Sequence, residues 1–176
     1  MPQVRAGEGS VVMLPGGELP DASRRRPARA NKRIKEHAMA QLKLSHVHAA
    51  IGAVRYAVAI EAGPHRLTAD ESVKLGGQGA GPAPFDLVLS GLGACTAATL
   101  KMYAEHKGWP LDALDVDLVL LRDDGGDRIE RTLHVHGALD DTQRAKLADV
   151  AERTPVTLAI KSGLAIATRL AAEEKP

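Results

Sequence analysis

The chain has 176 residues, a formal net charge of +1 and a 44% hydrophobic fraction, which suits one domain with one core and excludes a polyanion binder driven by overall charge. Aromatics make up only 2%, namely Tyr56, Phe85, Tyr103 and Trp109, so the core is expected to be built from Leu, Val, Ile and Ala, and base stacking on aromatic platforms is argued against. The single cysteine, Cys95, cannot close a disulfide within the chain, which argues against a stapled secreted fold and for a reducing, cytoplasmic compartment.

Residues 1–38 hold many Gly, Pro, Arg and Lys and show no sustained apolar period. Arg24, Arg25, Arg26, Arg29, Lys32, Arg33 and Lys35 form a basic run in this stretch. Three readings stand: a solvated, disordered extension, a tail that touches nucleic acid or acidic lipid, or a translation start at Met39. Residues 39–176 are expected to form the globular domain, and residues 1–20 lack the apolar run of a signal peptide.

Tyr56, Val58 and Ile60 alternate with polar or small residues, which predicts a strand, and Gly63-Pro64 turns it into a returning strand over His65–Asp70. Leu75–Pro82 is a glycine-rich loop without G-x-G-x-x-G spacing, placed to line the entrance to the thiol. Pro84 to about Lys107 reads as a helix, started by Pro84 and ended by Gly108 and Pro110. Its uncharged stretch, Leu87–Leu100, is too short to span a bilayer and apolar on almost every face, so a buried central helix is expected and no membrane partner.

Val116, Leu118 and Leu120 predict another strand, Asp123–Asp127 a hairpin turn, and Ile129, Leu133 and Val135 the inward face of its partner strand. Alternation puts Arg131 on that apolar face. It either snorkels to solvent or reaches the cysteine helix. Asp140 or Asp141 caps a second helix to about Arg153, Thr154-Pro155 interrupts it, and Leu164–Leu170 is expected as a last strand. The fold class is therefore α+β.

Cys95 lies in Ser90-Gly-Leu-Gly-Ala-Cys-Thr-Ala-Ala-Thr99. A lone cysteine in a helix often only packs. Gly91 and Gly93, however, weaken the helix and suit a close approach by a backbone, a ligand or a second subunit, and Thr96 and Thr99 bring hydroxyls near the sulfur. The histidine pairs His46/His48 and His134/His136 read as exposed strand residues rather than a zinc site, and nothing calls for a metal or other cofactor.

The segment Gly81–Leu100, its continuation Lys101–Leu111, Asp127–Arg131 and Gly137–Asp140 resemble OsmC-like proteins, from about Leu67 to Leu170. That resemblance implies antiparallel strands wrapped around a long central helix in an intertwined homodimer. It also implies reduction of organic hydroperoxides, with Cys95 as the peroxidatic cysteine passing through a sulfenic acid. Asp86 resembles the acidic residue that holds an activating arginine in relatives, although nine positions from Cys95 place it on the opposite side of a straight helix. Its simpler role is at the helix N-terminus. The arginine is Arg131, Arg55 or Arg66. The position of the relatives' second cysteine is taken by Thr154, so an external thiol reductant is implied. The alternatives are a non-catalytic binder of a small apolar ligand and a redox-inactive relative.

Overall fold

A computed structural model describes residues 42–172, and the basic run and the boundary near residue 38 lie outside the described residues. Three strands open the fold: β1 (Val47–Ile51), β2 (Val58–Ala62) and β3 (His65–Ala69). They form an antiparallel sheet in the order β1-β2-β3, with Ile60 opposite both Ala49 and Leu67. The predicted strand at Tyr56 begins two residues later, because Tyr56 takes a left-handed φ of 62° in the preceding turn. Alternation on β2 half-buries Val58 and Ile60 while Ala59 and Glu61 face out.

The glycine-rich loop is organised around Asp70, a buried residue that the sequence reading had not singled out. Its carboxylate accepts hydrogen bonds from the backbone N–H groups of Glu71 (2.8 Å), Gln78 (2.9 Å) and Ala80 (3.1 Å). Two glycines fit because nothing larger does: a Cβ on Gly77 or Gly81 would stand 2.0 Å from the carbonyl oxygen of Glu71 or Thr68, respectively. The Ala80 amide, with those of Gln78, Glu71 and Gly79, holds the Asp70 carboxyl below its ordinary value against the opposing effect of burial. The sign follows. A depressed folded-state pKa makes the carboxylate stabilising above the unfolded value of about 3.9, and that contribution is lost as pH falls through the folded value. Amide exchange at Gln78 and Ala80, corrected for the intrinsic rate, is expected to accelerate on acidification below about pH 4 before the rest of the fold opens. Equal acceleration throughout the chain would contradict this.

The long helix α1 (Pro84–Lys107) starts with Pro84 in its first turn and ends at Gly108, whose φ is 65°. It is followed by the hairpin β4 (Ala113–Asp123) and β5 (Gly126–His136), then α2 (Asp141–Ala151) and α3 (Pro155–Ser162). Asp140 caps α2 in a reciprocal box with Gln143, at 2.7 and 3.0 Å. The interruption expected at Thr154-Pro155 is there, and the short segment after it is a third helix. Thr154 is its N-cap and Pro155 its first residue.

The core gathers where α1, the hairpin and α2 meet: Leu100, Ala104, Leu111, Leu139, Leu147 and Ala151 are buried together. Tyr103 and Trp109 meet edge to face beside it, with ring centroids 5.6 Å apart. α1 packs on β4, α2 and α3, while the strands of the first sheet contact chiefly one another. Gly93 permits the close approach of the hairpin, since a Cβ there would lie 3.2 Å from the Leu118 side chain.

Two expectations are corrected. α1 is not buried all round: within one chain only the stripe Leu92, Thr96, Leu100 and Ala104 is covered, and Phe85, Val88 and Met102 stand exposed. The elements of a single chain cover one side of the helix and leave the other open. At 24 residues it is also long and apolar enough to cross a membrane by length and composition, a test that core helices pass as well. The predicted last strand does not pair: residues 163–172 have no regular structure, and Leu164, Ile166 and Leu170 are exposed. A strand needs a neighbour, and the described residues of this chain offer that segment none.

Candidate functional site

Cys95 is half-buried on α1, one residue from the buried Thr96 and next to the helix's open side. Its sulfur has Thr99 Oγ1 at 4.0 Å as a hydrogen-bonding neighbour, so one of the two hydroxyls expected near it is there. The other, Thr96 Oγ1, donates to the Leu92 carbonyl at 2.8 Å.

Among the three candidate arginines, Arg131 is the one hydrogen-bonded to the cysteine helix. Alternation along β5 turns it inward, and its side chain is 10% exposed. Its Nη1 donates to Thr96 Oγ1 and to Thr157 Oγ1, both at 3.0 Å, and its Nη2 donates to Glu152 Oε1 at 2.9 Å. The proton inventory fixes the directions. Thr96 gives its hydroxyl proton to Leu92, and Thr157 gives its own to the Ala151 carbonyl at 3.1 Å, so both oxygens are free to accept from the guanidinium. Thr154 Oγ1 then donates to Thr157 Oγ1 at 2.7 Å. Thr154 is thus a fully buried hydroxyl at the end of a chain that runs Thr154, Thr157, Arg131, Thr96.

The other candidates are engaged elsewhere. Arg55 lies over the Tyr56 ring, 4.9 Å from its centroid, and Arg66 makes an exposed ion pair with Glu61 at 3.1 Å. Asp86 accepts from the Ala83 backbone N–H at 3.0 Å, which is the helix-start role; the structure does not bring it to Arg131. The acidic partner of Arg131 is Glu152, just after α2. Lys161 bonds its Oε2 and Arg131 its Oε1, and this pairing, first with Lys161 and then with Arg131, holds the Glu152 carboxyl below its ordinary value. Sequence reasoning missed Glu152 and Thr157. The signal available was the N-cap threonine and Pro155 opening α3, which places Thr157 in the first turn, facing back toward α2.

Arg131 forms the floor of an open cleft of about 440 Å³. Phe85, Val88, Leu92, Leu120, Ile129 and Ile160 supply its apolar walls, and Arg128, Glu152 and Lys161 its rim. The glycine-rich loop is not among the walls, and neither is Cys95, which lies on the same helix about one turn beyond Leu92 and two beyond Val88. Of the two histidine pairs, His48, His134 and His136 lie on strands and His46 just before β1. His134 and His136 face Asp117 and Asp115 across the hairpin at 2.8 and 3.1 Å, and among the described residues no three His, Cys, Asp or Glu side chains are placed to hold a metal ion.

Solved structures share this fold. An OsmC-like protein from Mycoplasma pneumoniae superposes with a TM-score of 0.59 at 21% identity, covering 68% of this chain and 88% of its own. An osmotic-stress and detoxification response protein from Psychrobacter arcticus gives 0.56 at 15%, covering 68% and 88%. An organic hydroperoxide resistance protein OsmC from Legionella pneumophila gives 0.51 at 23%, covering 69% and 91%. No functionally curated protein matches the chain. The sequence profile of the OsmC-like protein family matches residues 77–169, more than half of the chain and all of the cleft, Cys95 and the Arg131 network, so the chain belongs to the OsmC-like family.

Proposed function

We propose that the chain is a one-cysteine thiol peroxidase that reduces organic hydroperoxides through Cys95, working as a cytoplasmic homodimer with an external thiol as reductant. The observation that carries the reading is the juxtaposition at Thr96: a half-buried thiol sits one residue from a hydroxyl that anchors a nearly buried guanidinium at the floor of an apolar cleft. A cation beside a thiol favours the reactive thiolate, and apolar walls favour an alkyl peroxide over hydrogen peroxide. The name of the Legionella relative, an organic hydroperoxide resistance protein, agrees with this direction.

The chemistry balances with the chain's own groups and two equivalents of thiol. The Cys95 thiolate attacks the outer peroxide oxygen. The O–O bond breaks, the alkoxide takes a proton and leaves as the alcohol, and Cys95 becomes a sulfenic acid. One external thiol condenses with it, releasing water and leaving a mixed disulfide. A second thiol reduces that bond and restores Cys95. Because Thr154 has no sulfur, both thiols must come from outside.

The homodimer is supported by what one chain leaves uncovered: the open side of α1, every position of β1, and the alternating Leu164, Ile166 and Leu170. A second copy covers apolar surface of this extent most simply. Sedimentation is expected to give twice the chain mass, and Met102→Glu, a charge on the open side of α1, is expected to weaken the association. A monomer at micromolar concentration would contradict this.

Consumption of an alkyl hydroperoxide in the presence of an excess of small thiol tests the function. Wild type is expected to turn over and Cys95→Ser to stay at the rate of thiol alone. A second reading, a binder of small apolar ligands, draws on the absence of Cys95 from the cleft wall. Displacement of an environment-sensitive apolar dye, equal in wild type and Cys95→Ser and unaccompanied by turnover, would establish it instead.

A further inference from the structure

A guanidinium can act on a thiol only from a fixed place, and the anchors of Arg131 differ in kind. Thr96 and Thr157 are neutral hydroxyl oxygens, whereas Glu152 is its one charged partner among the described residues. Each oxygen of that carboxylate has its own cation, Oε1 with Arg131 and Oε2 with Lys161 of α3, so the carboxylate's orientation is set by two elements at once. Asp86, on the cysteine helix, is occupied with the Ala83 amide. The guanidinium is therefore held from the end of α2. It borders an open cleft into which it can swing once that hold is gone.

We propose that Glu152 is the positioning residue for Arg131: from the end of α2 it fixes the guanidinium on Thr96 and so sustains the reactivity of Cys95. The inference rests on the reading of Arg131 and Cys95 given above, and it has a sign that a charge effect alone does not share. Glu152 is negative. Removing that charge favours a neighbouring thiolate by simple electrostatics and would quicken the thiol. Removing a positioning group slows it.

The test is the rate of Cys95 alkylation by iodoacetamide at pH 7 in the full chain, which needs no hydroperoxide. Arg131→Lys, which keeps charge but loses the fork that spans both threonines and Glu152, is expected to react several-fold more slowly than wild type. Glu152→Ala is expected to slow the reaction about threefold or more, the scale of one ion pair with a solvent-exposed partner. Glu152→Gln, which keeps one acceptor oxygen, should fall between wild type and Glu152→Ala. In the Arg131→Lys background, Glu152→Ala is expected to add little. Glu152 is an exposed residue after a helix, and unchanged circular dichroism serves as the folding control. Alkylation at or above the wild-type rate in Glu152→Ala, with Arg131→Lys slow, overturns the inference alone. Equal slowing by Glu152→Ala in both backgrounds also overturns it. If Arg131→Lys reacts like wild type, the reading of Arg131 as the activating cation fails instead.

Discussion

Replacing Arg131 by Met is expected to cost about 2–4 kcal/mol of stability and to bring the reaction of Cys95 with hydroperoxides down toward that of a free thiol. The stability term follows from the proton inventory. Thr96 and Thr157 have already committed their hydroxyl protons to helix carbonyls, so their oxygens can only accept at the site of Arg131. Met fills much of the volume and offers no donor, leaving the Thr96 oxygen without a partner and the Thr157 oxygen with that of Thr154 alone, in a largely dry place. Glu152 adds little to the loss because it is half exposed and keeps Lys161. Urea denaturation is the check: the midpoint should fall with an unchanged slope. An unchanged midpoint would mean that the network is decorative. The reactivity term is separate, and is read in the variant under conditions where it remains folded.

Thr154→Cys is expected to turn a one-cysteine chain into one that closes a disulfide on exposure to an alkyl hydroperoxide. Thr154 is fully buried, and its hydroxyl is linked through Thr157 and Arg131 to Thr96, the neighbour of Cys95. A thiol at this position that reaches a sulfenic acid on Cys95 attacks it, releasing water and forming the S–S bond. The substitution also has a structural cost. Thr154 is the N-cap of α3, accepting from the Thr157 amide, and a thiol caps weakly, so a loss of about 1 kcal/mol is expected in the reduced form. Peptide mapping without reductant after one equivalent of peroxide decides it. The expected product is a disulfide between Cys95 and the new thiol. Sulfenic or higher acids at Cys95 with no disulfide would show that residue 154 does not reach the reacting sulfur.

The fold was largely legible where local rules are strong. Pro84 and Gly108 delimit α1, the Asp124-Gly125 turn joins β4 and β5, and Asp140 caps α2, all as the sequence suggests. α3 was hidden because the Thr-Pro pair reads equally as a break or as an N-cap, and only the packing of Thr157 against α2 decides. The end segment and the open side of α1 were misjudged for one reason. Alternation and apolar faces announce that a surface will be covered, not that the same chain covers it. At the site, Cys95 and Arg131 were visible as an unusual motif and an inward charge. Glu152 was not visible, since an acid at a helix end ordinarily faces water and its pairing crosses from α2 to β5. Asp86 was suggested by resemblance and doubted on helix geometry, and its carboxylate takes the Ala83 amide instead.

The most direct test is a single turnover: reduced protein mixed rapidly with a stoichiometric alkyl hydroperoxide in the absence of any other thiol. The account predicts that Cys95 is oxidised far faster than free cysteine at the same pH, gaining one oxygen and releasing one equivalent of alcohol, and that it reacts more slowly with hydrogen peroxide. Oxidation no faster than that of free cysteine would contradict the assignment of a peroxidase and leave Cys95 as a residue that packs.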